Sequence, residues 1–268
     1  MLIDKIKYIL FLLILLSSCK KEPLNEIPGF IKIDDIILNE NTTDNITDAW
    51  VYINDQLQGI YELPAHFPVL EIGKNKLRIR GGIKNNGISS SRAAYSFYTS
   101  YIEEELDIIE AQETTIYPTI SYLDNTEILD ENSDIILEKT NFSDTSIVFS
   151  NEENCNAGFL TDSLLTFEIS TQELENIPQD GSPVYLELDY KCNSQFLVGT
   201  YINYIPTVIK KDLLWINPKE NWNKIYINLT PVINEGVDAP SFSIFLGMQR
   251  NFNLTKNELY FKNFRVIY

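Results

Sequence analysis

Short runs in which apolar and polar residues alternate recur along this chain, and clusters of Asn, Asp, Gly and Pro separate them. An alternation with a period of two predicts a strand with one buried face. Long stretches with the spacing of an amphipathic helix are absent. The pattern therefore predicts an all-β protein made of short strands and polar turns.

The clearest unit is a predicted β-hairpin at residues 49–62, in which a polar turn joins two alternating strands. Pro64 and Pro68 interrupt the alternation, and a strongly alternating strand follows. This order over residues 49–81 resembles the small β-sandwich modules typified by PEGA and carboxypeptidase-regulatory-like domains. The resemblance implies a spacer or docking module, and we expect residues 30–122 to form a small β-sandwich domain.

Residues 81–101 are the unusual part of this first domain, because glycines and aromatic residues fill a connection longer than a hairpin needs. Long irregular loops in compact domains often carry function. We therefore take six of its residues as candidates for binding a partner protein: Asn85, Asn86, Arg92, Tyr95, Phe97 and Tyr98. The alternative is that the aromatic side chains fill the core of their own domain.

Residues 123–141 are rich in Asp, Asn and Glu and are predicted to be a linker region. Beyond them, eight short strands separated by turn signals predict a β-sandwich, most simply a jelly roll, over residues 142–268. The predicted strands are 145–149, 163–169, 184–190, 196–204, 213–216, 224–229, 242–246 and 259–266.

Three segments of this second domain, 184–190, 222–230 and 258–267, resemble strands of the galactose-binding-like jelly roll. The resemblance implies the fold more than a ligand, because the matching residues are ones that pack in the core. Modules of this kind often present aromatic side chains on which a sugar ring stacks. Tyr204 and Trp215, on either side of a predicted turn, are the candidates for glycan stacking.

The composition of the chain narrows the range of functions that it could have. Acidic residues outnumber basic ones by 38 to 21, giving a net charge of −17, so nucleic acid is a poor partner. His66 is the single histidine and has no nucleophile motif nearby, which argues against a catalytic triad. We expect a protein that is not an enzyme and has neither a metal site nor a cofactor other than a covalent lipid.

Cys155 and Cys192 form an even pair within the second domain. In an oxidising compartment such a pair either forms a disulfide, worth about 3–4 kcal/mol for a loop of roughly 36 residues, or remains as two buried thiols. The sequence leaves both alternatives open.

The start of the chain reads as a secretion signal. Two lysines precede an apolar run that is too short to span a bilayer but suits the core of a signal peptide. The run ends at Ser17-Ser18-Cys19, which resembles the bacterial lipobox. The resemblance implies that residues 1–18 are removed, that Cys19 carries diacylglyceryl and palmitate chains, and that residues 19–29 tether the first domain to the membrane.

Position 20 is a lysine, not the aspartate that retains many lipoproteins in the inner membrane, so an outer-membrane address is favoured. The Cys-x-Lys-Glu start resembles the surface-export signal of Bacteroidota lipoproteins, and a periplasm-facing anchor is the alternative. The leading expectation is an accessory or scaffolding subunit of an outer-membrane complex, beside a β-barrel partner or other lipoproteins. The alternative is a cell-surface glycan-binding lipoprotein.

Overall fold

The computed structural model describes residues 27–268 as two β-sandwiches and one short helix, α1 (Thr230–Glu235). The predicted all-β fold is confirmed. The predicted signal peptide 1–18, the lipidation site Cys19 and most of the tether lie outside the described residues. Within residues 27–268, no helix has the length and apolar character needed to cross a bilayer.

The first domain is a small sandwich. A five-stranded sheet of order β4-β3-β6-β7, with β8 also paired to β6, packs against the sheets β5-β1-β9 and β10-β2. Val51 and Ile79 from one layer meet Ile31 and Phe67 from the other in a shared core. The strands are β1 (Gly29–Ile33), β2 (Ile37–Leu38), β3 (Asp48–Ile53), β4 (Gln56–Glu62), β5 (Ala65–Val69), β6 (Gly73–Lys84), β7 (Arg92–Ala94), β8 (Ser100–Ile108), β9 (Glu113–Ile116) and β10 (Thr119–Ile120).

The predicted hairpin corresponds to β3 and β4. Its turn consists of Asn54 and Asp55, whose φ angles of 50° and 63° are both left-handed. A two-residue turn of this kind matches the right-handed twist of the strands that it joins, and Asn and Asp tolerate it better than most residues.

The second domain is a jelly roll of two facing sheets. Its strands are β11 (Ile128–Asp130), β12 (Leu137–Lys139), β13 (Val148–Ser150), β14 (Cys155–Leu160), β15 (Thr166–Thr171), β16 (Leu174–Glu175), β17 (Tyr185–Cys192), β18 (Phe196–Asn203), β19 (Val208–Ile216), β20 (Lys219–Asn228), β21 (Ser241–Gln249) and β22 (Asn257–Ile267). We call β13-β14-β22-β17-β20 the back sheet and β12-β15-β21-β18-β19 the front sheet; β11 joins the former and β16 the latter.

The connectivity identifies the jelly roll. Within the two sheets, the order β14-β22-β17-β20 stands opposite β15-β21-β18-β19, and the chain crosses from one sheet to the other between most consecutive strands. Eight antiparallel strands that follow this path form the two Greek keys of a jelly roll. Alternate residues of each strand, such as Leu188 and Phe196, fill the core between the sheets.

Two details differ from the sequence-based prediction. Residues 123–141 are not a bare linker, because β11 pairs with β22 and β12 pairs with β15. Strand β14 was not predicted, since its Asn-Ala-Gly sequence lacks the branched residues typical of strands. Gly158 is needed there, because a Cβ atom at this position would lie 2.5 Å from the ring of Phe167.

Cys155 and Cys192 are buried free thiols, so the disulfide alternative is wrong for this structure. They lie on β14 and β17, and β22 runs between these strands. Two strand spacings amount to about 9–10 Å. A disulfide needs Cα atoms within about 7 Å of each other.

We therefore expect a reducing agent to leave the melting temperature unchanged. Both thiols should resist alkylation in the native protein and become alkylated in guanidinium, because burial shields them and raises the pKa of each. Peptide-resolved mass spectrometry before and after unfolding measures this for each cysteine. A cross-linked peptide that contains both cysteines would contradict the expectation.

Candidate functional site

The first domain covers the outer face of the back sheet. Tyr185 of β17, Tyr226 of β20 and Ile267 of β22 point away from the jelly-roll core and belong to the apolar cluster that forms the core of the first domain. The two domains therefore share one continuous apolar contact. The exposed sheet face of the second domain is the outer face of the front sheet.

The aromatic candidates of residues 81–101 lie in this domain contact. Tyr95, Phe97 and Tyr98 are buried. Tyr95 Oη donates a hydrogen bond to Glu187 Oε1 at 2.8 Å, and the hydroxyl oxygens of Tyr98 and Tyr226 are 3.0 Å apart. The interpretation of these aromatics as a surface for another protein is corrected: their burial attaches the first domain to the second.

The polar candidates of the same segment are also held in place. Asn86 N donates to Tyr226 O at 2.8 Å, and Asn86 Oδ1 accepts from Asn228 N at 2.8 Å. Asn85 forms a β-bridge with Tyr226. Arg92 pairs with two carboxylates of its own domain. The segment is therefore fixed on β20 at residues 85–86.

A buried ion pair lies at the centre of the domain contact. Glu187 Oε2 is 2.7 Å from Lys224 Nζ, and the side chains are 0% and 2% exposed. Tyr122 Oη lies 2.9 Å from both carboxylate oxygens of Glu187. This network has no access to a substrate, so its role is structural. Four tyrosines surround the ion pair, and burial is the largest cause that raises the pKa of each; they are Tyr95, Tyr98, Tyr122 and Tyr226.

A groove of about 340 Å³ crosses the exposed face of the front sheet. Its base is a row of cross-strand neighbours, in which Trp215 of β19 pairs with Leu197 of β18, Leu197 with Gly247 of β21, and Gly247 with Glu168 of β15. Because side chains alternate along a strand, all four lie on the outer face. The small residue at Gly247 leaves room above the sheet, and the Trp215 side chain borders this space.

Two exposed aromatic residues line the groove together with polar groups. Trp215 is 47% exposed and Phe142 is 64% exposed. The side chains of Lys210, Asp212 and Gln249 line the same space. The groove therefore combines flat apolar surfaces with hydrogen-bonding groups of both kinds.

Glu168 is the buried carboxylate of this groove, and its partners are all within the protein. Lys210 Nζ lies 2.5 Å from Glu168 Oε2. Tyr201 Oη donates to Glu168 Oε1 at 2.5 Å, and Thr140 Oγ1 donates to the same atom at 2.8 Å. Burial raises the pKa of Tyr201, and the contact with Glu168 raises it further. The carboxylate is thus held as an acceptor of protein hydrogen bonds.

Of the two residues that the sequence proposes for glycan stacking, the structure places one in the groove and the other outside it. Trp215 lines the groove, whereas Tyr204 is half-buried and does not. Tyr204 Oη donates to Val237 O at 3.2 Å. Sequence reasoning missed Phe142 because it lies between the predicted linker and the first predicted strand, where no alternating pattern marks it.

His66 lies on β5, outside the groove. Its Nε2 is 3.2 Å from Glu113 Oε2, and its ring stacks on Phe30. Among residues 27–268, no group of three or more His, Cys, Asp or Glu side chains is placed to hold a metal ion.

No protein-family profile matches the chain, and no curated protein matches it significantly. Solved structures with a similar fold include the family 29 carbohydrate-binding module CBM29_1 from Piromyces equi, at 14% identity and a TM-score of 0.33 over 53% of this chain and 89% of that one. They also include the family 30 carbohydrate-binding module of a Clostridium thermocellum cellulosomal cellulase, at 14% identity and a TM-score of 0.34 over 53% and 96%.

A third similar structure is the module TmCBM61 in complex with beta-1,4-galactotriose, at 12% identity and a TM-score of 0.32 over 54% of this chain and 96% of that one. At these identities and TM-scores the similarity concerns the fold alone. The function has to be inferred from the residues and geometry of the front sheet.

Proposed function

We propose that this protein is a non-catalytic glycan-binding protein whose site is the groove on the front sheet. The observation that carries the proposal is the exposed Trp215 ring beside a groove lined by Lys210, Asp212 and Gln249. A sugar ring has an apolar face that stacks on an aromatic ring and a rim of hydroxyls that need hydrogen-bond partners. The groove offers both.

Binding without catalysis is supported by the state of the buried carboxylate. Hydrolysis of a glycosidic bond usually uses two carboxyl groups on either side of the bond. Glu168 is occupied by Lys210, Tyr201 and Thr140, and Asp212 is the other carboxylate that lines the groove. A carboxylate held as an acceptor in this way suits recognition better than proton transfer.

We also propose, from the sequence alone, that lipidated Cys19 holds the protein on the outer membrane, facing the cell surface. Such an anchor would keep a bound polymer close to the cell. The other expectation, an accessory subunit of a β-barrel complex, is based on the anchor, the absence of catalytic motifs and two module types that commonly mediate contacts, with the loop at residues 81–101 as its candidate partner surface. The aromatics of that loop are buried against the second domain, so within residues 27–268 the front groove is the better-supported site.

Replacing Trp215 with alanine is expected to weaken glycan binding at least about tenfold, because stacking contributes about 0.5–1.5 kcal/mol in addition to the buried area. Affinity gel electrophoresis against a panel of soluble polysaccharides identifies a bound polymer, and calorimetry with that polymer measures the loss. The melting temperature of Trp215→Ala should stay close to that of the wild type, since the side chain is 47% exposed.

Two matched controls sharpen this experiment. Tyr117 is 71% exposed on the first domain, and Tyr204 lies on the second domain but outside the groove. Tyr117→Ala and Tyr204→Ala should bind as the wild type does. Equal binding by Trp215→Ala and the wild type would refute the proposed site.

A further inference from the structure

We infer that the ligand is an acidic polysaccharide and that both domains bind it, along a path that leads from the front groove past Trp215 into the cleft between the domains. This inference rests on the proposed glycan-binding function and makes it more specific. It depends on three observations, which are the continuity of the cavities, the fixed loop of the first domain and the distribution of charge.

Trp215 lines three neighbouring cavities. The first is the front groove. The second, of about 610 Å³, shares Gln249 with that groove and is also lined by Arg250. The third, of about 480 Å³, lies between the domains and shares Pro218 with the second. A polymer that stacks on Trp215 therefore meets one continuous surface, because the Trp215 ring borders all three cavities.

The first domain supplies one wall of the interdomain cleft through Lys84 and residues 86–89. Asn86 and Gly87 adopt left-handed φ angles of 56° and 68°. A Cβ atom at Gly87 would lie 3.0 Å from Ile225 Cδ1, so glycine lets the loop approach β20 closely. Together with the hydrogen bonds of Asn86, this arrangement orders the loop before a ligand arrives, which lowers the entropy lost on binding.

The facing wall comes from the second domain. It consists of Asn217, in the connection between β19 and β20, and of Lys219 and Asn223 on β20. Amide and ammonium groups donate hydrogen bonds, and the hydroxyl and carboxylate oxygens of a polysaccharide accept them. The cleft is therefore a polar site built from two domains.

The charged residues of the cleft and of the second cavity are basic, although the chain as a whole is strongly acidic and the front groove carries charges of both signs. The chain has a net charge of −17, yet neither the cleft nor the second cavity has an Asp or Glu among its lining residues. Their charged residues are Lys84, Lys219, Lys224 and Arg250. A neutral sugar has no need for such a region, whereas a uronate carboxylate or a sulfate does.

Lys219 is the residue placed to receive that anionic group. Lys224 is paired with Glu187, and Lys84 and Arg250 each have a carboxylate within 3.8 Å and 3.2 Å respectively. Lys219 is exposed and, within residues 27–268, has no carboxylate within ion-pair distance. Its ammonium group is thus free to pair with a ligand.

The test compares polygalacturonate and alginate with neutral β-1,4-galactan and β-1,4-glucan as ligands of the full chain. We expect the acidic polymers to bind at least tenfold more tightly, and their binding to weaken as NaCl is raised from 50 to 500 mM because salt screens exposed charges. Lys219→Ala should reduce the affinity for the acidic polymers about tenfold, and Ser89→Trp, which fills the cleft from the first domain, should do the same.

The controls are Lys74→Ala, which removes an exposed lysine far from the cleft, and Ser133→Trp, which adds an exposed tryptophan elsewhere. Both should bind as the wild type does. Tight binding of a neutral polymer that Trp215→Ala abolishes, with Lys219→Ala and Ser89→Trp unaffected, would overturn this inference and leave the proposed function intact. Failure of both acidic polymers to bind would also overturn this inference, whereas the proposed function is refuted only if the whole panel of polysaccharides fails to bind.

Discussion

Replacing Glu187 with alanine is expected to lower the free energy of unfolding by about 3–5 kcal/mol, because it leaves Lys224 charged and buried without its partner. Glu187 is fully buried and accepts hydrogen bonds from two tyrosines as well as pairing with Lys224. Removing it therefore leaves several buried donors unsatisfied at once. Urea unfolding, followed by fluorescence and circular dichroism, measures the change.

The partner variant provides a matched control. Lys224→Met should cost less than Glu187→Ala, since Glu187 keeps the hydrogen bonds from Tyr95 and Tyr122. In the double variant, Glu187→Ala with Lys224→Met, the loss should be smaller than the sum of the single losses, because no unpaired charge remains. A loss below 1 kcal/mol for Glu187→Ala would show that the pair does not hold the domains together.

Raising the pH above 10 should destabilise the protein steeply. Burial raises the pKa of Tyr95, Tyr98, Tyr122 and Tyr226 in the folded state, whereas an unfolded tyrosine ionises near pH 10. The unfolded chain therefore releases protons that the folded chain keeps. The stability from these groups is fully present below pH 10 and is lost as the pH rises towards the folded-state pKa values, at about 1.4 kcal/mol per pH unit for each tyrosine.

The slope from the four tyrosines together should steepen above pH 9 and approach about 5 kcal/mol per pH unit at pH 11, and other buried tyrosines add to it. Urea unfolding between pH 9 and 11 measures it. Tyr98→Phe should lower the slope by up to about 1.4 kcal/mol per pH unit, the contribution of one proton. Tyr117→Phe, at an exposed position, should not change the slope. A free energy of unfolding that stays constant up to pH 11 would contradict the raised pKa values.

The sequence predicts the fold class and most of the strands because each strand alternates between a core face and an outer face. Strand β17 shows the limit of this reasoning. Leu186 and Leu188 face the jelly-roll core, while Tyr185 and Glu187 between them face the first domain. A strand buried on both faces keeps its alternation when the outer face is polar, so the sequence alone does not reveal that a second domain covers it.

The site is harder to predict than the fold. The sequence identifies Trp215 as an aromatic residue that flanks a turn, but Gly247 and Glu168 become its neighbours through pairings between strands that are distant in sequence. Tyr95 was identified as an unusual aromatic, yet its burial depends on Glu187, 92 residues later. Such contacts require the topology, which local patterns do not contain.

The position of β22 determines when this protein can fold. Within residues 27–268 it follows every other strand in sequence, yet it lies inside the back sheet, between β14 and β17, and also pairs with β11. Ile267, at its end, belongs to the core shared with the first domain. During synthesis, neither the jelly roll nor the contact between the domains can close until β22 has emerged, so the two domains complete their folding together.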